Sequence, residues 1–201
     1  MQLIYSPTSP YVRKVMVTLI ETGQKDEVAL VPASGSPTEP NATVIAQNPL
    51  GKVPALMRDD GPTLVDSRVI CRFLDARGRG GLYPDGRIWE VMTLEALADG
   101  ILDAAILMVY EGRCRDEGQR SEAWVEGQWQ KIARALDVLE TRWISHLSGR
   151  LDMGQIAVGC ALGYLDFRHA ARDWRKGRGA LVAWERTFSA RPAMTETRPP
   201  A

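Results

Sequence analysis

Apolar and polar positions along the chain alternate between strand-like and helical periods. Leu3-Ile4-Tyr5 is a short apolar run that reads as a strand, and Pro10 to Glu21 then follows helical spacing. Pro10 stands in the first turn, where a missing N–H is tolerated, and Ser9 takes the N-cap position that favours a hydroxyl. Gly23 closes the helix. Val28 to Val31 predicts a second strand, followed by a loop rich in Pro, Ser and Gly and a short helix around Ala42 to Gln47. Ala55 to Arg58 and Thr63 to Val65 flank the turn signal Asp59-Asp60-Gly61-Pro62 and predict a hairpin. Ser67 is expected to cap a helix whose apolar positions are Val69, Ile70, Phe73 and Leu74.

This β-α-β-α-β-β-α order is that of a thioredoxin-like fold, a small mixed sheet with helices on both faces. Arg77-Gly78-Arg79-Gly80-Gly81 interrupts the pattern and reads as a linker, after which no convincing strand occurs. Ile88 to about Gly112 predicts a long helix with Val91, Leu94, Ala98, Ile101, Leu102, Ala105 and Val109 on one broad face. Ser121 to about His146 predicts another, with the stripe Trp124, Ile132, Leu136, Leu139 and Trp143. Asp152-x-x-Gln155 matches a capping box. The helix it opens carries Gly159, Ala161 and Gly163, small residues suited to a central core helix. Trp184, Phe188 and the proline-rich tail from Arg191 suggest a last helix and a covering strap. The expected class is therefore α/β followed by all-α: a thioredoxin-like domain over 1–77, a linker over 78–86 and a helical-bundle domain over 87–201.

Composition narrows the function classes. The chain has 25 basic and 25 acidic residues, so bulk charge does not favour nucleic acid or an anionic membrane as partner. The longest apolar helix candidate, near Ile156 to Leu165, is too short to span a bilayer. Pro7 and Pro10 interrupt any apolar signal-peptide core. The cysteines, Cys71, Cys114 and Cys160, are odd in number and widely spaced, which disfavours a disulfide framework or a zinc site. A cytoplasmic protein without a metal is expected. His146 and His169 have no metal-binding or catalytic partner pattern, and Cys160, in the core helix, reads as a small hydrophobe.

The candidate chemistry lies in Asn48-Pro49-Leu50-Gly51-Lys52-Val53-Pro54-Ala55-Leu56. Proline belongs at the mouth of a strand, and a cis Val53-Pro54 bond would turn the Val53 N–H and C=O outward, ready to pair with an extended peptide. Upstream lies Ser6-Pro7-Thr8-Ser9-Pro10-Tyr11-Val12-Arg13-Lys14, and downstream Thr63-Leu64-Val65-Asp66-Ser67. With these three segments in this order, nearly the whole chain resembles the cytosolic glutathione transferases, in particular bacterial members with a serine at the first helix. The Asp152/Gln155 box departs from the Ser or Thr and Asp usual in that family, but keeps the physical pattern.

The resemblance implies glutathione as co-substrate, a small electrophile as second substrate, and a homodimer whose contact includes the early part of the long helix. Ser67 and the N–H groups of its helix suit the γ-glutamyl carboxylate, and Asp66 its ammonium. Val53, followed by Pro54, would pair with the cysteinyl backbone, and Lys52 would reach the glycyl carboxylate. Ser9, at a helix N-terminus, would donate to the thiolate, with Thr8 and Ser6 as rival hydroxyls. Tyr11, Leu107, Tyr110 and Glu111 are candidates for the second-substrate pocket. The alternative is a non-catalytic member of the fold that binds or regulates.

Overall fold

The computed structural model describes residues 1–200. Strand β1 (Gln2–Tyr5) is central: it pairs in parallel with β2 (Ala29–Pro32) and antiparallel with β3 (Ala55–Met57), giving the order β2-β1-β3. Helix α1 (Pro10–Glu21) begins with Ser9 as N-cap, Val12 N–H donating to Ser9 Oγ at 3.3 Å, and Gly23 follows its end at φ +71°. Helix α2 (Ala42–Gln47) is capped by Asn41, which accepts from Thr43 and Val44 N–H.

Two local expectations are corrected here. The hairpin keeps only one full arm: Leu64 forms a single bridge to Leu56, with N–H···O distances of 2.8 and 2.9 Å. Pro62 lacks an N–H, and Asp66 turns the chain into a helix two residues after Leu64, so one pair is all that fits. That helix, α3 (Ser67–Gly78), is capped by Asp66 rather than Ser67: Asp66 Oδ1 accepts Arg68 N–H at 2.9 Å, and Ser67 is the first helical residue. Either side chain can cap, and the carboxylate one position earlier takes the role. Arg79, at φ 52°, ends the helix.

Helix α4 (Ile88–Cys114) and helix α5 (Glu122–Val138) then pack together. The expected continuous helix to His146 is broken: Leu139–Trp143 forms a π-turn before the short α6 (Ile144–Leu147). The turn brings Glu140 to the start of α8 (Gly179–Phe188), where its carboxylate accepts Ala180 N–H at 3.0 Å and Leu181 N–H at 2.7 Å. Trp124, expected on the apolar stripe, lies at the α5 entrance and is 38% exposed.

Helix α7 (Met153–His169) is the core helix, packed along α4. A Cβ on Gly159 would stand 2.6 Å from Phe188 Cε1, so the small residue is needed for contact with α8. Its start is the expected capping box, with Gln155 N–H donating to Asp152 Oδ1 and Asp152 N–H to Gln155 Oε1, both at 3.2 Å. Asp152 is wholly buried and also receives His146 Nε2 at 2.8 Å. Helix α9 (Pro192–Glu196) lies on α1, fastened by Arg191–Glu21 at 3.0 Å and by a Lys25–Glu196 ion pair. One apolar cluster contains Leu3, Val15, Leu56, Ile70, Ile156, Cys160, Phe188 and Met194, so the sheet, α1, α3, α7 and the tail share a core.

Asp152→Ala is expected to cost about 2–3 kcal/mol, roughly 1 for the cap and the rest for buried partners left unpaired. Urea unfolding measures it, and a loss below about 0.5 kcal/mol would show that this box does not hold the start of α7.

Candidate functional site

Strand register brings the three candidate segments to one end of the sheet. Ile4 lies opposite Ala55, which puts the Val53-Pro54 corner beside the loop leaving β1 toward Ser9. Leu56 lies opposite Leu64, and continuing that antiparallel step puts Asp66-Ser67 on the far side of the same corner. The helix starts of α1 and α3 therefore face a common space with the corner between them.

The Val53-Pro54 bond is cis. Asn48 shapes the approach: its side-chain amide donates to Lys52 C=O at 2.8 Å, and its Oδ1 accepts Leu50 N–H at 3.1 Å. Gly51, at φ +66°, makes the tight turn that an L side chain would strain. Among the described residues neither the N–H nor the C=O of Val53 pairs with another backbone group. Lys52 is exposed and Pro54 buried.

The three hydroxyls differ in what they already do. Ser6 is buried, 8% exposed, and shares a 3.3 Å contact with Thr8 Oγ1. Ser9 is half-buried and uses its oxygen as an acceptor for Val12 N–H, so its hydroxyl hydrogen stays available to donate. Pro7, Thr8, Ser9, Arg13, Tyr164 and Pro199 line one small crevice. Within it Arg13 donates through Nη2 to Met194 C=O at 3.0 Å, and a Cβ on Gly163 would meet Arg13 Nη1 at 2.3 Å. The bare backbone of α7 is thus where this guanidinium fits.

Asp66 is exposed and gripped by Arg68, whose Nε and Nη2 each reach it at 3.2 Å. Burial alone would raise the Asp66 carboxyl, but the Arg68 guanidinium and N–H outweigh it and hold the group below the ordinary carboxylate range. Arg68 Nε also lies 3.5 Å from Asp99 Oδ2. Behind it Lys14, wholly buried, donates to Asp99 at 2.8 Å and Glu95 at 3.0 Å, while Tyr83 donates to Glu95 at 2.9 Å. Burial opposes the Lys14 charge, yet the two carboxylates prevail and raise its pKa. Asp99 is raised because burial outweighs the help of Lys14. An unbroken polar chain thus runs from Asp66 through Arg68, Asp99 and Lys14 to Glu95. Sequence reasoning missed it; the only signal was Glu95 and Asp99, four apart, among the apolar positions of α4.

Of the second-substrate candidates, Leu107, Tyr110 and Glu111 line a cavity of about 400 Å³ together with Pro37, Thr38 and Trp124. Glu111 is tied down there, accepting Arg115 Nε and Ser121 N–H, each at 2.9 Å. Tyr11 stands apart from that cavity, its hydroxyl donating to Asp103. Burial and the Asp103 carboxylate both raise the Tyr11 phenol, keeping it a neutral donor. His146 is bonded to the buried Asp152 at 2.8 Å and His169 to Ala105 C=O at 3.0 Å. Burial pushes the Cys71 thiol up to about 12 and that of Cys160 to about 11. No group of metal-ligating side chains occurs among the described residues.

A thioredoxin-like half bearing a cis-proline corner between two helix starts, joined to an all-helical half, defines a glutathione-transferase-like architecture. The pattern described as "Glutathione S-transferase, N-terminal domain" matches residues 8–77, and "Glutathione S-transferase, C-terminal domain" matches residues 122–186. The GST-like protein YibF of Escherichia coli (strain K12) is 35% identical over 100% of this chain and 99% of its own length. The crystal structure of a glutathione transferase family member from Pseudomonas fluorescens Pf-5 with bound glutathione is 49% identical, with TM-score 0.97 over 100% of this chain and 99% of that one. A second structure from the same source, with bound S-(propanoic acid)-glutathione, gives 48% identity and TM-score 0.92 over 100% of both chains. The chain belongs to the glutathione S-transferase family.

Lys14→Met strands two buried carboxylates, and a loss of about 3–5 kcal/mol is expected near neutral pH. The Asp99 carboxyl, already raised by burial, would lose the ammonium that opposes that rise and lie further above its unfolded value near ~4. Its share of the penalty is therefore full above the raised Asp99 value and fades as pH falls through it, so the deficit relative to wild type shrinks in acid. Urea unfolding across pH 4 to 8 checks this; a pH-independent deficit would show that the stranded Asp99 carboxylate does not cause it.

Proposed function

We propose that this protein is a serine-type glutathione transferase that holds glutathione as thiolate beside Ser9 and delivers it to a small electrophile. The observation carrying this reading is that the Ser9 oxygen serves the helix as an acceptor while its hydrogen remains free to donate, at the positive end of a 12-residue helix. The unpaired Val53 backbone matches the cysteinyl N–H and C=O of an extended tripeptide. Ser67, left free of the cap by Asp66, and the N–H groups of α3 suit the γ-glutamyl carboxylate; Asp66, held ionised, suits its ammonium. Lys52, exposed beside the corner, suits the glycyl carboxylate. The relatives from Pseudomonas fluorescens hold glutathione and an S-substituted adduct of it, which accords with these assignments.

In the reaction the thiol proton leaves to solvent and the thiolate sulfur forms a bond to the electrophilic carbon. A leaving group departs with its electron pair, or an activated double bond takes the pair and is then protonated. Leu107 and Tyr110 would face the acceptor. The thiolate needs stabilising because a free thiol, titrating near ~8.5, is only slightly ionised at neutral pH.

Ser9→Ala is expected to raise the pKa of bound glutathione by about one to two units, the worth of one hydrogen bond to a charged group. Affinity for glutathione should hardly change, because Val53, Lys52, Asp66 and Ser67 are untouched. Thiolate ultraviolet absorbance, titrated on both proteins, measures the shift. Overlaid titrations would pass the role to Thr8, Ser6 or the helix end. Retention on glutathione-agarose with no turnover of any electrophile would instead favour a binding protein.

The same reading includes a homodimer. Val69 of α3 and Trp89 and Met92 of α4 are 48%, 75% and 41% exposed, on neighbouring helices linked by the Arg72 Nη1–Met92 contact at 3.6 Å. Large apolar side chains gathered on one face are suited to burial against a second copy. Sedimentation should show a dimer at micromolar concentration, and Trp89→Glu should weaken it by at least tenfold. A wild-type monomer would count against this arrangement.

A further inference from the structure

We propose that the tail strap decides which electrophiles the site accepts: Pro199 walls off the α7 side of Ser9, so the acceptor approaches along α4 and its reacting carbon must be unbranched or planar. The inference rests on the transferase reading above and names the shape class of substrate for that site.

The two sides of Ser9 differ in room. Toward α7, Pro199, Tyr164 and Cys160 close on the loop before α1, and the crevice holds only about 10 Å³ of free space, roughly one water molecule. Toward α4 the cleft is open. Tyr11, two residues past Ser9, donates to Asp103, and Leu107 follows Asp103 by one helical turn at the edge of the 400 Å³ cavity. Glu95, Asp99, Asp103, Leu107 and Glu111 recur at every fourth position. The first three of them meet Lys14, Arg68 and Tyr11, so this row of α4 faces the thioredoxin-like half. An acceptor that leaves the sulfur toward α4 finds space, and one turned toward α7 meets Pro199.

Pro199 is turned inward: it is half-buried, whereas Arg198 and Pro200 on either side are exposed. Its ring fixes φ, which makes it a stiff wedge. The strap that carries it is fastened along α1. Arg191 Nη2 lies 3.0 Å from both carboxylate oxygens of Glu21, and Lys25 pairs with Glu196. Nearer the crevice, Arg13 donates through Nη2 to Met194 C=O at 3.0 Å and through Nε to Thr197 Oγ1 at 3.4 Å. Arg13 is 9% exposed and forms no ion pair among the described residues, so these strap oxygens are what satisfies a buried charge. Withdrawing the strap would strand it. On its other side the guanidinium already packs on the bare backbone of α7 at Gly163 and has nowhere to retreat.

A wall held this way discriminates by shape. A substituent branched at the carbon bonded to sulfur spreads to both sides and drives a methyl group into a space that holds one water. A linear or planar one lies wholly on the α4 side. Overfilling a packed wall is costly where its residues cannot yield.

The test compares two isomers, S-butylglutathione and S-tert-butylglutathione, by calorimetry on wild type, Pro199→Gly and Pro199→Leu. Each affinity is read as a ratio to that of glutathione on the same protein. Wild type should bind the linear adduct about tenfold more tightly than the branched one. Pro199→Gly should cut that preference to about threefold or less by improving the branched adduct, and Pro199→Leu, which restores bulk, should retain it. Equal binding by wild type, a preference that survives Pro199→Gly, or its loss in both variants overturns the proposal while leaving the transferase reading intact. Failure to bind glutathione itself overturns the transferase reading, and this one with it.

Discussion

The buried ammonium of Lys14 constrains the whole molecule. A cation with no exposed surface requires counter-charges, and both come from α4, 81 and 85 residues further along the chain. Helix α1 can therefore meet the helical half in only one register, with Glu95 and Asp99 over Lys14. Burying three charges costs desolvation that their attraction hardly recovers, so such a cluster stabilises little by itself. What it contributes is discrimination: any other docking of the two halves leaves charge in the interior.

That register has consequences at the site. Lys14 lies on α1 only five residues past Ser9, and Asp99 passes the constraint through Arg68 to Asp66. The two helix starts that flank the Val53-Pro54 corner are thus both tied to Asp99. A shift of α4 would move both. The crevice is shaped from the opposite side by α7, where the absence of a side chain at Gly163 makes room for Arg13.

Much of this was legible wherever the signal is local. The bounds of α1 follow from Ser9, Pro10 and Gly23, and the Asp152/Gln155 box from side chains three positions apart. Local ambiguity explains two corrections: Asp66 and Ser67 are adjacent and equally able to cap, and the hairpin arm was too short to tell a strand from one bridge. The π-turn at Leu139–Trp143 was invisible because Glu140 serves α8, forty residues away. Lys14, Glu95 and Asp99 were lost for the same reason. Each resembles an ordinary surface charge until the fold brings them together.

Cys71 and Cys160 are buried, and both thiols stay protonated far above neutral pH. Disulfide exchange proceeds through the thiolate and needs access to it. These two sulfurs are therefore poor targets for oxidised glutathione or peroxide. An oxidant would reach the half-exposed Cys114 before either interior sulfur.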